Sequence, residues 1–83
     1  DHRGEGSVFA DTHRWFERRM EAMIRRGQQA GSIRADLDAN AAALMIGSLL
    51  LGVSTQTQVD PAMDLDPIRR TISETIKTAF RAA

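Results

Sequence analysis

Ala39-Asn-Ala-Ala-Ala-Leu-Met-Ile-Gly-Ser-Leu-Leu-Leu-Gly-Val53 is the stretch whose reading decides how this chain folds. It carries no charge, one amide (Asn40) and one hydroxyl (Ser48). Helix formers dominate it and β-branched residues are few, which favours a helix over a strand. Asp38 stands where an N-cap belongs, with a carboxylate able to accept from the free N–H groups of the first turn. Helical spacing puts Ala42, Met45, Ile46, Leu49 and Val53 on one stripe, and Ala41, Leu44, Ser48, Leu51 and Thr55 on another. A helix apolar on two sides has to be covered on two sides. The spacing leaves open which stripe faces the subunit interior.

A membrane span is the first alternative to exclude. The strongly apolar run, Ala39 to Val53, is about fifteen residues against the roughly twenty a bilayer requires. Asp36 and Asp38 lead directly into it, and no flanking basic cluster or aromatic belt accompanies it. The reading is a buried helix within a soluble assembly.

Working outward, Gly31-Ser-Ile-Arg-Ala-Asp-Leu-Asp38 is a connection. Ile33 and Leu37 are expected to fold back onto the flanking helices, with Arg34 and Asp36 facing water or each other. Before it, a helix is expected over 8–30, capped by Ser7 and stopped by a left-handed Gly31. Phe9, Thr12, Phe16, Met20, Met23 and Gly27 form its apolar face, widened by Val8, Trp15 and Ala22. Residues 1–7, polar and interrupted by Gly4 and Gly6, read as a flexible lead-in to a domain covering 8–83. The central helix is expected over 39–58, ended by Asp60-Pro61. A third helix is expected over 67–82, with Asp66 as cap and Pro67 opening the first turn. Ile68, Ile72, Ile76, Ala79, Phe80 and Ala83 make its apolar stripe. The fold class is therefore all-α, with three helices.

The chain has 83 residues, no cysteine, 42% hydrophobic residues and eleven charges of each sign. A core of this size is marginal alone, and neither disulfide nor thiolate metal site is available to reinforce it. Association with another copy or with more chain is expected to supply the remainder. Zero net charge provides no overall field for nucleic acid, so Arg18-Arg19, Arg25-Arg26 and Arg69-Arg70 read as solvated helix faces. His2 and His13 lack metal-ligand spacing, and no phosphate loop, nucleophile elbow or acid–base set is present. The expectation is no enzyme, no metal and no cofactor. Nothing in the sequence addresses the chain away from the cytoplasm.

Arg26-Gly-Gln-Gln-Ala-Gly-Ser-Ile-Arg-Ala-Asp-Leu-Asp38, with the alanine-rich helix opening and Leu-Leu-Leu-Gly52 that follow, resembles the C-terminal domain of TetR-like bacterial transcription regulators. Asp64-Leu-Asp-Pro67 continues the likeness, which spans nearly the whole chain. The resemblance implies an all-helical homodimer whose last two helices pair into a four-helix bundle across a two-fold axis. It also implies a small-molecule pocket in each subunit that alters the spacing of two DNA-binding heads. The regulator would be a ligand-released repressor. No helix-turn-helix lies in this chain, so operator DNA is expected to be contacted only through an absent N-terminal domain. On this reading Leu44, Ser48, Leu51, Gly52, Thr55, Ile72, Ile76 and Phe80 face the dimer mate. Trp15, Phe16, Met20, Met23 and Met45 line a cavity for a small apolar effector. The alternative class is a free-standing helical oligomerisation module that binds another protein and no small molecule.

Overall fold

The structure, a computed structural model, describes the backbone of residues 2–82 and the side chains of residues 8–82. It consists of α1 (His2–Ala30), α2 (Ala39–Val59) and α3 (Leu65–Phe80). The only extended pairing among the described residues is a single antiparallel bridge between Ile33 and Arg81. The chain is all-α, as expected.

The helix ends follow from local chemistry. α1 stops in a Schellman arrangement: Gly31 has φ 83°, its N–H donates to Gln28 O at 3.1 Å, and Ser32 N–H donates to Gly27 O at 3.0 Å. Asp38 caps α2 through Ala41 N–H at 3.0 Å. Two expected boundaries shift. α1 is already helical at His2, running through Gly4, Gly6 and the expected cap Ser7. α3 is capped by Asp64, whose Oδ1 accepts from Asp66 N–H at 3.1 Å, so the helix starts at Leu65 and ends at Phe80. Pro67 still falls within the first turn, where its missing N–H costs no helical bond.

α1 and α2 form the one extensively packed helix pair. Small residues make the seam: Ala39, Ala42, Ala43 and Gly47 of α2 are buried, together with Ile46 of α2 and Ile24 of α1. Gly27 is required here for space. A Cβ on it would lie 2.5 Å from Ile33 Cδ1, because Ile33 folds back over the end of α1. Ile33 and Leu37 both pack on the core, as their apolar character within a polar connection implied.

Polar contacts run along the rest of the seam. Asn40 Nδ2 donates to Glu21 Oε1 at 2.9 Å, and Gln28 Nε2 donates to Leu37 O at 2.8 Å. His13 Nε2 lies 3.0 Å from Glu17 Oε2, and that pair rests over Gly47. These groups place Ile24, 3% exposed, at the centre of the packed face of α1. The expected apolar face was rotated away from it.

α3 joins this pair at one end only. Phe80 is 7% exposed in the common core, with Ile76 packed beside it. Arg34 N–H donates to Phe80 O at 2.9 Å, and Ala82 N–H donates to Ser32 O at 3.3 Å. Arg34 also holds Asp36 through two hydrogen bonds of 2.7 and 2.8 Å. The hydrogen bonds to Asp36 raise the Arg34 pKa, and those from Arg34 hold the Asp36 carboxyl below its usual range.

The result is a sheet of helices measuring 46 × 31 × 14 Å. Its thickness is close to that of one helix with its side chains. The radius of gyration is 15.0 Å, against about 12 Å for a compact domain of this length. The accessible surface is 6380 Å², against about 4,900 Å² for a closed monomer of this mass. α2, at 21 residues, meets the length and composition requirement of a membrane span, as core helices of soluble proteins also do. It runs on through polar Ser54–Gln58 to Val59, one residue past the expected end.

Candidate functional site

α1 and α2 lie side by side, and α3 is moored only near Phe80, so a cleft opens along the remaining length of α3. Its volume is about 510 Å³, within the range of small-molecule sites. Phe16 and Met20 contribute from α1, and Ile46, Leu50 and Val53 from α2. α3 adds Leu65, Ile68, Ile72 and Ile76, together with the polar Arg69 and Ser73. A smaller hollow of about 250 Å³ adjoins it, sharing Phe16 and Leu50 and bordered by Phe9, His13 and Gly47.

Two of the five expected effector residues, Phe16 and Met20, line the cleft. The other three do not. Trp15 is 54% exposed and has the Arg19 guanidinium 5.1 Å above its ring. It sits about two and a half turns from Ile24, which sets it on the opposite side of α1. Met23 is equally exposed, one residue and about 100° from Ile24, and Met45 also faces outward. Reading every large apolar residue of α1 as inward-facing is corrected by the His13–Glu17 and Glu21–Asn40 contacts, which occupy the seam those residues were assigned to.

The expected dimer residues divide by helix. Leu44, Ser48, Leu51, Gly52 and Thr55 are all exposed on α2, although Leu51 also borders the smaller hollow beside Phe9, Thr12 and His13 of α1. Leu44 and Leu51 are 46% and 40% exposed. Ser48 Oγ donates to Leu44 O at 2.9 Å and Thr55 Oγ1 to Leu51 O at 3.0 Å, so both hydroxyls are satisfied within the helix. The row therefore presents little unmet polarity to a surface that would cover it. The buried face of α2 matches neither expected stripe: Ala39, Ala42, Ala43, Ile46 and Gly47 are buried, while Met45 and Leu49, expected beside Ala42 and Ile46, are exposed.

For α3 the assignment changes. Phe80 is core, Ile76 packs against that core and Ile72 lines the cleft. All three lie against the chain's own helices, at or near the end of α3 where the helix is held, and Ile72 and Ile76 stay partly exposed.

Leu50, Val53, Leu65, Ile68, Arg69 and Ser73 were not expected to line a site. Leu50 belonged to neither stripe of α2, since it lies between them. The α3 residues did show the right spacing, but which neighbour that stripe would meet depends on where α3 is anchored.

A one-layer helical sheet with an apolar cleft and an uncovered apolar row has the layout of a regulatory association domain rather than that of a self-contained globule. The sequence matches the C-terminal domain of BetI-type transcriptional repressors over residues 4–81, and the chain belongs to that family. It is thus the C-terminal domain of a TetR-like regulator, a domain type concerned with ligand binding and dimerisation. No curated protein and no solved structure matches it.

Proposed function

We propose that this chain is the effector-binding and dimerising domain of a repressor that a small molecule releases from operator DNA. The observation that carries the reading is the uncovered row of α2, Leu44 to Thr55, on a chain exposing about 1,500 Å² more surface than a closed monomer of its mass. That excess exceeds the roughly 800 Å² per partner buried in an ordinary stable interface. A second copy seated on the row would cover it. The cleft beneath α3 is the effector site, and α3, held at Phe80, is the element whose position an occupant changes.

Ligand would act by population shift, favouring a dimer geometry in which the DNA-binding heads no longer fit adjacent half-sites. Those heads belong to a helix-turn-helix domain elsewhere in the gene product, which works in the cytoplasm where the operator is. The test is sedimentation of the full-length gene product with labelled operator, before and after addition of candidate effectors. A concentration-stable dimer that leaves the operator when ligand is added supports the reading. A monomer at all concentrations, or a dimer indifferent to every ligand on and off DNA, overturns it.

A further inference from the structure

The α3 cleft has a marked asymmetry of chemistry. Its walls, from Phe16 and Met20 across Leu50 and Val53 to the isoleucines of α3, are apolar, and its one charged lining residue is Arg69. Ser73 lies one turn further along the same helix; the cleft surface itself is almost wholly apolar, so the polar ends of both side chains stand at its rim, the Arg69 guanidinium reaching back to Asp66. No carboxylate lines the cleft, and Phe16 is its one ring. A quaternary ammonium, which is recognised by a cage of aromatic faces or by a carboxylate, meets neither.

We propose that the cleft takes an amphiphilic carboxylate, with its hydrocarbon tail along the apolar walls and its acid group at the rim beside Arg69. This rests on the reading of the cleft as the effector site. Arg69 is available for the task. Its contact with Asp66 is a single hydrogen bond of 3.3 Å between side chains that are both more than two-thirds exposed. An ion pair of that kind contributes little, and the guanidinium keeps further N–H donors in a fork suited to two carboxylate oxygens. An acid group entering from the cleft side meets those donors without displacing any buried contact.

The experiment is calorimetric titration of the full-length protein, below micelle-forming concentrations, with three ten-carbon probes: decanoate, decanol and decyltrimethylammonium. Decanoate is expected to bind five- to tenfold more tightly than either of the others. Arg69→Gln is expected to erase that preference while leaving decanol affinity unchanged. Arg70→Gln, on the neighbouring exposed position, is expected to leave the preference intact. Arg69 makes no buried contact, so its replacement should not alter helix content, and circular dichroism verifies this.

Equal affinity for the three probes, a preference for the cation, or a preference that survives Arg69→Gln overturns the carboxylate assignment while leaving an apolar effector site in place. Failure of all three probes to bind overturns both this inference and the reading of the cleft on which it rests.

Discussion

Replacing Leu51 by Glu puts a carboxylate into the middle of the uncovered row of α2, and its cost can be worked from the geometry. Leu51 is 40% exposed within the chain, so a partner has only part of its transfer free energy left to gain, about 1 kcal/mol. A two-fold interface counts each loss twice, giving about 2 kcal/mol. The larger effect is the charge. Two carboxylates would be taken from water into an apolar seam containing no basic side chain to pair with them. Even with partial hydration, about 2 kcal/mol each is a modest figure for such groups. The sum, about 5 kcal/mol or more, weakens dimerisation by over a thousandfold. The isolated fold should be unaffected, because Leu51 packs on no core residue and Glu is a good helix former. Sedimentation equilibrium over a wide concentration range measures the dimer constant, and circular dichroism checks that the helices persist. An unchanged dimer constant in Leu51→Glu would refute the assignment of this row to the interface. A wild-type protein that stays monomeric at high concentration would refute the dimer itself.

Phe80→Ala should cost about 3 kcal/mol or more, and hydrogen exchange should then show α3 losing protection first, since Phe80 is the buried anchor of that helix. Gly27→Val and Gly47→Val should each lower thermal stability by about 1–3 kcal/mol: one would drive a side chain into Ile33, and the other would press on Glu17 and His13 across the seam. The Glu21 carboxyl is held below its ordinary range, first by the hydrogen bond from Asn40 and then by that from Arg25. Its stabilising contribution is therefore complete above the ordinary carboxylate range and lost as pH falls through the lowered folded value. Asn40→Ala should move the Glu21 titration, followed by carboxyl-carbon NMR, up toward the ordinary value; an unmoved titration would mean that Asn40 does not hold this group.

The termini of the elements were legible because single residues set them. Asp38, Gly31 and Asp60-Pro61 each have a local chemistry that ends or begins a helix whatever surrounds it. The acidic caps before α3 were harder, since Asp64 and Asp66 both qualify and the choice depends on where the preceding turn leaves the chain. The packed face of α1 was misjudged for a reason that spacing alone could not expose. His13, Glu17, Glu21 and Gln28 fall outside the apolar stripe, yet each finds a partner in or beside the seam: His13 and Glu17 pair with each other, and Glu21 and Gln28 reach Asn40 and the backbone of the connection. Polar residues that satisfy one another can occupy a seam that an apolar count assigns to Trp15 and Met23. Of the residues that line the cleft, Phe16 and Met20 were on the expected apolar face of α1. Arg69 and Ser73 were not expected to line it, because their role depends on α3 standing away from α2 along most of its length.

That separation also explains why α2 is apolar almost all round. One side packs on α1 through alanines and Gly47, a second turns Ile46, Leu50 and Val53 toward α3, and a third carries Leu44 outward, with Leu51 at its edge beside the smaller hollow. A sheet of helices only 14 Å thick cannot cover the third side from within. The same helix that bounds the cleft proposed for the effector therefore carries the row proposed for a second copy, with a single helix diameter between them. An occupant that shifts α3 against Leu50 and Val53 bears on the helix that carries Leu44 on its other flank. Close-packed side chains transmit such displacements rather than absorbing them. On this geometry, coupling between effector and dimer needs no relay of intermediate residues. It follows that polar substitutions at Leu50 and at Leu44, on different sides of α2, should separate the two functions: Leu50→Gln should weaken ligand binding at constant dimer strength, and Leu44→Glu the reverse. Titration of both variants with decanol, alongside their sedimentation, would expose the reasoning as mistaken if each change impaired both properties equally.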